Sequence, residues 1–557
     1  MSEILEETNF DYIILGTGLV ESILAGALAR VGKKVLHLDS RRNYGSNWSV
    51  FGFREAAQWH FDRSKAHEPM QLEYTSRVEY NKQYVSNFRN TEFKIYTTLL
   101  SNEEKEDIKT RAAEGSLTKE SLISLIPNVD KNLLVEFTKS LDNEDPYETL
   151  YQMIIFEKLL KASRSYNLDT TPKLLHSREE LVEVLIRSGV GRYLEFKSVD
   201  DIYMFDKIAE QLEKVPGSKE DVFTNKSISL IEKRKLMKFL TYAMEHNGED
   251  RELEDMSYSK FLEEKFKISD KLLDAIIYAI ALVDKDASVK HGLDCTHKFV
   301  QSIGRFGKGG YLCPLYGGAS EIAQAFCRIC AVYGGIYILN SPIDKILVNN
   351  ETNECTGLVT KEGQEYNCKT LISGIDYLPL TWLPNGGDFG TWVSRAIVIT
   401  NHPLKDTEDH DALAYSIFPP GSNAGNVDFP IYIIHQSQES VACPKDQYVT
   451  YFWTTSQNEG VLKNALELLL KKKKEDGIIE QYANCIFSIF YDQRIRSTKN
   501  LEQVSNLPRK VIPCSDPDIS LDFQTATTEA IKLFYQCEGK DGDFMPAVEN
   551  DPENEYQ

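Results

Sequence analysis

The sequence predicts an α/β protein of several domains, built around a dinucleotide-binding βαβ unit close to its N-terminus. Three observations support this fold class. Residues 10–40 carry the pattern strand, glycine-rich turn, helix, strand and acid. Residues 222–307 place apolar side chains at the three- and four-residue steps of helices. Residues 308–537 alternate short apolar strands with helices, and a chain of 557 residues is long enough for two or three domains.

The βαβ unit departs from the dinucleotide fingerprint at one position. Gly16 and Gly18 are the first two glycines of G-x-G-x-x-G, and Asp39 follows about 20 residues later, where a ribose-binding acid is expected. The third glycine is replaced by Glu21. Glutamate loses the close strand–helix packing that this glycine permits, and its charge would repel a phosphate at the helix N-terminus. The sequence therefore predicts a nucleotide-binding fold without a cofactor.

Composition argues against several functions. The chain has 63 Lys and Arg against 84 Asp and Glu, a formal charge of −21, which disfavours nucleic-acid binding and electrostatic adhesion to anionic membranes. The acidic N-terminus lacks the apolar segment of a signal peptide, and no run approaches the ~18 apolar residues of a membrane helix. The ten cysteines are scattered, and the Cys327–Cys330 pair lies in an apolar helical pattern typical of core packing. We expect a cytosolic protein.

The chain divides into a sheet domain interrupted by a helical one. We predict that residues 1–221 form the first part of the sheet domain and residues 222–307 the helical domain. Residues 308–537 are predicted to form the second part of the sheet domain, and residues 538–557 a disordered acidic tail. Residues from about 54 to 160 are predicted to be an insertion.

Three segments have a helical pattern with a particular character. Leu272–Val283 is apolar almost all round, which indicates a buried helix or one whose face accommodates a lipid. Val461–Lys474 is predicted to be an amphipathic helix that ends in four lysines. Ser101–Leu117 is predicted to be either an exposed helix or partly disordered.

The candidate functional residues indicate binding rather than catalysis. The sequence has no G-x-S-x-G, P-loop or H-E-x-x-H motif, and its ten histidines have no metal-ligand spacing. Glu321 and Arg328 are seven residues apart on a predicted helix and so share one face. That face is either a solvated edge or a recognition surface. Trp48 and Phe51, in a turn-rich loop, either contact a partner or pack beneath the loop.

Several stretches of the chain have a distinctive sequence. They are DYIILGTGLVESILAGALARVGKKVLHLDSRRNYG (11–45), RYLEFKSVDDIY (192–203), EKRKLMKFL (232–240), GRFGKGGYLCPLYGGASEIAQAFCRICAVYGGIYILN (304–340) and the C-terminal third. Together these stretches resemble the Rab escort protein / Rab GDP-dissociation inhibitor family. The resemblance implies a flavoprotein-like fold, with a Rossmann-type FAD/NAD(P)-binding domain and a smaller all-helical second domain. It also implies that the protein binds no flavin. The extra length before RYLEF, Asn47-Trp48 after Tyr44-Gly45, and CRICAVYGGIY resemble the escort branch.

The family's Rab-binding platform can be transferred to this chain residue by residue. The resemblance places the platform at Tyr44, Arg305, Glu321, Arg328, Ile336 and Ile338.

The escort branch also has an aromatic residue that contacts the transferase. The matching position in this chain is Ala275, so that contact cannot be transferred.

The resemblance implies a non-catalytic accessory protein that needs neither metal nor cofactor. It would bind unprenylated, GDP-bound Rab GTPases and present their C-terminal cysteines to the α/β heterodimer of Rab geranylgeranyl transferase. Residues 222–307 would then shield the geranylgeranyl groups until Rab is delivered at a membrane. Two alternatives stay open: a Rab GDP-dissociation inhibitor that recycles prenylated Rabs, and an FAD-dependent oxidoreductase, against which Glu21 argues.

Overall fold

A computed structural model describes residues 5–63, 78–81, 87–141, 145–199, 201–217, 221–222, 228–245, 256–405, 413–456, 458, 460–473, 479–501 and 506–547. The strands, in chain order, are β1 Asn9–Leu15, β2 Val35–Leu38, β3 Val50–Phe51, β4 Val78–Asn81, β5 Phe88–Ile95, β6 Leu168–Asp169, β7 Leu175–His176, β8 Phe196–Val199, β9 Asp201–Asp206, β10 Gln211–Lys214, β11 Tyr311–Pro314, β12 Ile336–Ile338, β13 Ile343–Asn349, β14 Glu354–Thr360, β15 Glu365–Gly374, β16 Thr391–Thr400, β17 Ala414–Phe418, β18 Ile431–Gln436, β19 Tyr448–Thr454, β20 Lys471–Lys473, β21 Ile479–Gln481, β22 Cys485–Ile495 and β23 Val511–Cys514.

The α-helices connect these strands and form most of the segment between β10 and β11. They span Leu19–Arg30, Phe53–Arg63, Asn102–Ala113, Lys119–Leu125, Asn128–Ser140, Pro146–Lys161, Glu180–Ser188, Leu230–Met244, Tyr258–Phe266, Asp270–Asp274, Val289–Ser302, Gly318–Val332, Val461–Leu470 and Gln524–Glu538. Residues Ala275–Ala281 continue the helix Asp270–Asp274 as a π-helix.

The first sheet contains the predicted βαβ unit. β1 pairs in parallel with β2, and the helix Leu19–Arg30 connects the two strands. The strand order is β12-β2-β1-β15-β14-β13-β4, and β23 pairs with β15. Four helices contribute to a single apolar cluster on one face of this sheet: Leu19–Arg30, Glu180–Ser188, Gly318–Val332 and Gln524–Glu538. A second apolar cluster, which includes Tyr377 and Trp382, covers the other face.

The second sheet has the order β10-β9-β17-β18-β19-β16-β22-β5. The helix Val461–Leu470 packs on one face. The other face shares one continuous apolar core with the helices between residues 102 and 161 and with those between residues 230 and 302. The predicted helical segment is therefore present in its described residues, and its core is continuous with that of the sheet.

The structure settles the outcome for two of the predicted helical segments. Ser101–Leu117 contains the regular helix Asn102–Ala113, because Ser101 and Glu104 form a reciprocal capping box at its start. The helix predicted over Val461–Lys474 ends at Leu470, so the prediction is wrong for Lys471–Lys473, and Lys474 lies outside the described residues. The backbones of Lys471 to Lys473 instead pair with Ile479–Gln481 as a β-hairpin, a non-local partner that helical periodicity does not reveal.

The disorder predicted for the acidic tail is wrong for its first residues. Phe544 and Met545 are 4% and 0% exposed and join the apolar cluster over the first sheet. The ring of Phe544 lies 5.3 Å from that of Phe534, centroid to centroid. Burial of two large apolar side chains outweighs the acidic composition of residues 538–547, and residues 548–557 lie outside the described residues.

Candidate functional site

Glu21 fills the position where the fingerprint has its third glycine. It lies in the first turn of the helix Leu19–Arg30, it is 4% exposed, and burial raises its pKa well above the ordinary value for glutamate. Its carboxyl group accepts a hydrogen bond from its own backbone N–H. A Cβ atom placed on Gly18 would collide with this carboxyl group, and one placed on Gly374 would lie 2.6 Å from it. Glu21 thus takes up the space beside the glycine turn.

Asp39 has its acceptor capacity taken by the protein itself. Its Oδ2 accepts hydrogen bonds from the Thr17 backbone N–H at 2.9 Å, the Thr17 hydroxyl at 2.6 Å and the Ser46 hydroxyl at 2.9 Å. Its Oδ1 accepts from the Arg41 backbone N–H at 2.8 Å and from the Tyr377 hydroxyl. A carboxylate offers about four lone-pair positions, so five donors saturate it.

A dinucleotide does not fit these residues. Glu21 occupies the pyrophosphate side of the turn, and Asp39 has no free acceptor for a ribose hydroxyl. The ring of Tyr377 covers the turn, since a Cβ atom on Gly16 would lie 3.1 Å from that ring. The departure at Glu21 is therefore accompanied by a second obstruction, the ring of Tyr377, which belongs to the 3-10 helix that follows β15.

The residues around the glycine turn fix the loop that follows β2. Ser46 is bound to Asp39, and the Gly45 backbone N–H donates to the Thr17 carbonyl oxygen at 3.1 Å. Gly45 has φ +98°, and a Cβ atom there would lie 2.7 Å from the Trp48 carbonyl oxygen. Trp48 is 3% exposed and stacks on Phe523, so packing is its role. The position of Tyr44, the residue before Gly45, is set by these contacts.

A buried ion network supports the same loop. Arg496 pairs with Asp516 at 2.8 Å and with Asp376. Arg41 reaches Asp376 at 3.3 Å, and the Asn47 amide donates to Asp516 at 2.9 Å. Burial alone would lower the pKa of Arg496, but the two aspartates raise it overall. The network keeps the loop bound to the residues that directly follow β15, β22 and β23.

The helix Gly318–Val332, which we call the platform helix, presents a polar stripe to solvent. Glu321 is half-buried at its start, and Gln324 and Arg328 are exposed along the same face. In the part of the chain that the structure describes, neither the Glu321 carboxyl group nor the Arg328 guanidinium has a hydrogen bond or an ion pair. Burial raises the pKa of Glu321. The guanidinium of Arg328 lies over the ring of Tyr193, with its Cζ 4.3 Å from the ring centroid.

Tyr44 lies next to this stripe. Its ring centroid is 6.2 Å from that of Tyr337 on β12. Burial raises the pKa of Tyr44 and is the largest cause of the shift. A hydrogen bond with Tyr337 and the charge of the nearby Glu321 raise it further. Tyr44, Tyr337, Glu321 and Arg328 therefore form one surface on the helix-covered side of the first sheet.

The other predicted platform residues lie apart from this surface. Ile336 and Ile338 flank Tyr337 on β12, and their half-buried side chains pack into the apolar cluster on the opposite face of the sheet. Arg305 forms an ion pair with Glu183 at 2.7 Å and donates to the Ser177 carbonyl oxygen. The structure thus brings three of the six predicted residues together on one face and places the others at its edge or beyond.

Sequence reasoning missed Tyr337 and Tyr193. Alternation along β12 is the signal for Tyr337, because Ile336 and Ile338 leave only the residue between them to face the platform helix. Tyr193 could not be found in this way, since its approach to Arg328 is a tertiary contact between a 3-10 helix and the platform helix. The Cys327–Cys330 pair is a packing feature, as predicted: both thiols are buried, and burial raises each pKa to about 12.

A cavity of about 1100 Å³ lies where residues 280–298 meet residues 176–183 and 519–525. Its lining includes the apolar residues 280–283 and the acidic residues Asp284, Asp286, Asp294 and Asp522. Among the described residues, no group of three or more His, Cys, Asp or Glu side chains is placed to hold a metal ion. No helix in the described segments has the length and apolar character that crossing a membrane requires.

The chain belongs to the GDP dissociation inhibitor family. The family model described as "GDP dissociation inhibitor" matches residues 5–141 and 136–543. These matches cover both sheets and the platform helix.

Several relatives match along nearly their whole length. The chain is 28% identical to Rab proteins geranylgeranyltransferase component A 2 of Mus musculus, over 95% of this chain and 95% of the relative. It is 28% identical to component A of Drosophila melanogaster, over 98% and 91%. It is 26% identical to the Rab GDP-dissociation inhibitor of Saccharomyces cerevisiae, over 96% of each.

A solved structure supports the fold. A Rab GDI from Plasmodium falciparum has a TM-score of 0.61 and 20% sequence identity, covering 98% of this chain and 100% of that one. An oxidoreductase from Methanosarcina mazei, at a TM-score of 0.51 and 11% identity, shares the overall architecture. The Rossmann-type, flavoprotein-like fold predicted from the sequence is confirmed.

Proposed function

We propose that this chain is a Rab escort protein, which binds GDP-bound Rab GTPases and presents them for geranylgeranylation. Support comes from the relatives named as component A of Rab geranylgeranyltransferase, which match 95% or more of the chain in Mus musculus and Drosophila melanogaster. On this proposal the chain is an accessory protein, and the transferase heterodimer carries out the lipid transfer.

The observation that carries the proposal is a pair of charged side chains on the platform helix, neither of which has an ion pair among the described residues. Within the described residues, Glu321 and Arg328 have no ion pair of their own, so each is available to a partner of complementary charge. Burial raises the pKa of Glu321, so its charged form is incompletely hydrated and carries a desolvation cost in the free protein. That cost is recovered when a partner supplies the missing contact, which is what a binding surface requires.

The rest of the platform is part of the same proposal. Tyr44 would add an amphipathic contact from a loop whose position is fixed by Asp39 and the ion network, and such preorganised aromatic side chains often dominate binding energy. Ile336 and Ile338 would contact Rab around the edge of the sheet, through the exposed parts of their side chains on the edge strand β12, and Arg305 would contact it beyond the platform helix. In that case Arg305 exchanges its ion pair with Glu183 for a Rab contact.

We also propose that the lipid and the transferase bind at the helical segment, residues 222–307. The apolar residues 280–283 line the cavity of about 1100 Å³, a volume at or above the upper end of typical ligand sites. Shielding the lipid matters because each buried CH₂ is worth ~0.8 kcal/mol, which favours membrane partitioning of an unprotected tail. The protein would act in the cytosol and contact membranes only during delivery.

Binding of purified Rab to the chain, measured by calorimetry with GDP-loaded and GTP-analogue-loaded Rab, tests the proposal. We expect the GDP form to bind at least about tenfold more tightly, since only differential affinity can select a nucleotide state. Arg328→Ala is expected to weaken binding about tenfold or more, because it removes a central charged contact. Arg111→Ala, on the exposed surface of the helix Asn102–Ala113, is the matched control and is expected to bind normally. Equal affinity for the two nucleotide states would refute the proposal.

A Rab GDP-dissociation inhibitor is the second candidate. The Saccharomyces cerevisiae inhibitor matches 96% of the chain at 26% identity, and the family description is that of an inhibitor. Such a protein would also prefer the GDP form, so the two functions differ in prenylation and not in nucleotide selectivity.

A further inference from the structure

Tyr193 lies beside the platform helix but is not among the six residues assigned to the platform. It is the last residue of the 3-10 helix Val190–Tyr193, and 43% of its surface is exposed. Its ring supports the guanidinium of Arg328 at 4.3 Å from Cζ to the ring centroid. Among the described residues, Arg328 has this cation–π contact and no hydrogen bond or ion pair.

The stacking has a physical consequence for Arg328. A guanidinium over an aromatic face is stabilised by about 0.5–1 kcal/mol at an exposed site. A cation–π contact uses none of the guanidinium N–H donors, and among the described residues these donors make no hydrogen bond, so they remain available to a partner. A free arginine side chain loses up to ~2 kcal/mol of rotamer entropy when it is fixed by a partner. Tyr193 therefore orders Arg328 before any partner arrives.

The backbone beneath Tyr193 is anchored. Leu194 donates its backbone N–H to the Gly191 carbonyl oxygen at 3.2 Å, and the side chains of Leu194 and Phe196 pack into the apolar cluster of the first sheet. A large aromatic side chain on a rigid segment loses little entropy on binding. Exposed tyrosine and arginine side chains of this kind are the residue types that dominate interface energetics.

We propose that Tyr193 and Arg328 form one docking unit of the surface that binds GDP-bound Rab, an inference that rests on the proposed function. The unit fits a partner site in which a carboxylate meets the outward N–H groups of Arg328 and an adjacent apolar side chain covers the exposed edge of the Tyr193 ring. The platform thus extends from the helix Gly318–Val332 onto the segment that precedes β8.

A substitution series at Tyr193, with Rab·GDP affinity measured by calorimetry, tests this inference. Tyr193→Phe keeps the aromatic face and is expected to bind within about twofold of the unaltered chain. Tyr193→Leu keeps an apolar contact but loses the cation–π interaction, and we expect an intermediate loss. Tyr193→Ala loses both and is expected to weaken binding about tenfold, which corresponds to ~1.4 kcal/mol. Tyr535→Ala, at an exposed tyrosine on the helix Gln524–Glu538, is the matched control.

A double-mutant cycle separates the unit from two independent contacts. If Tyr193 acts through Arg328, Tyr193→Ala weakens Rab·GDP binding by about twofold or less when it is made in a chain that already carries Arg328→Ala. The inference is overturned if Tyr193→Ala binds like the unaltered chain, or if its full effect persists without Arg328. Thermal unfolding of each variant identifies misfolding, and the Phe and Leu variants then decide the matter. Failure of the unaltered chain to bind Rab·GDP would instead overturn the proposed function itself.

Discussion

Two buried carboxyl groups, Asp39 and Glu21, occupy the part of the fold where a dinucleotide would bind. Asp39 is saturated by five donors that hold the loop of Tyr44. Glu21 is packed between Gly18 and Gly374, and the hydrogen bond described for it comes from its own backbone. At this scale the two acids differ: one is fully compensated, and the other remains a costly buried group.

Glu21→Gln is expected to stabilise the protein increasingly as the pH rises above 5. The pKa of Glu21 is raised in the folded state, so the folded chain holds this proton more tightly than the unfolded chain does. Its contribution to stability is fully present below the unfolded pKa near 4.5 and is lost as the pH rises through the window above it. The glutamine variant has no such loss. Its melting temperature, followed by circular dichroism from pH 5 to pH 8, should exceed that of the unaltered chain by a growing margin.

The control for this prediction is Glu103→Gln. Glu103 is exposed in the first turn of the helix Asn102–Ala113, a position comparable to that of Glu21 but in solvent. The melting temperature of the Glu103→Gln variant should equal that of the unaltered chain at every pH. A constant or shrinking difference for Glu21→Gln across the same range would show that the buried carboxyl group carries no pH-dependent cost.

Among the structural elements, the platform helix was the most predictable from sequence. Glu321 and Arg328 were placed on one face by their spacing alone, and the structure confirms that placement. What spacing could not supply is the neighbourhood of that face: Tyr193 approaches from a distant segment, and the sheet directs Ile336 and Ile338 away from it. Periodicity describes one element, whereas a site is built from several.

The helical segment contains one very close contact between two helices. Gly292 lies in the helix Val289–Ser302, and a Cβ atom there would collide with the ring of Tyr258. That ring is fully buried, and its hydroxyl is held by Thr296 at 2.6 Å, so it cannot move aside. We expect Gly292→Ala to destabilise the protein by roughly 2 kcal/mol, since overpacking costs up to ~3 kcal/mol and helix propensity returns ~1 kcal/mol.

Thermal unfolding measures this loss, and a second substitution tests its cause. Tyr258→Leu opens space beside residue 292, so Gly292→Ala should cost much less in that background than in the unaltered chain. Lys290→Ala, exposed in the first turn of the same helix, controls for general effects on the helix. An unchanged melting temperature for Gly292→Ala would show that the two helices can separate without cost.

For the whole molecule, the sequence predicted the βαβ unit, the helical segment and the second, strand-rich part of the fold. These features have local signatures: a glycine turn, a 3.6-residue period and alternating apolar residues. The saturation of Asp39 had no such signature, because its donors come from Thr17, Arg41, Ser46 and Tyr377, which only the fold brings together. The hairpin at Lys471–Lys473 was missed for the same reason, since pairing and not periodicity decides it.

The most direct test of escort function is lipid transfer from labelled geranylgeranyl pyrophosphate to Rab·GDP by the purified transferase heterodimer, with and without this chain. We expect incorporation to require the chain and to fall with Arg328→Ala or Tyr44→Ala, because both substitutions remove contacts that hold Rab on the platform. Arg111→Ala should support normal incorporation. Incorporation that proceeds equally well without the chain, while the chain still extracts prenylated Rab from membranes, would contradict the escort function and assign the protein to the inhibitors.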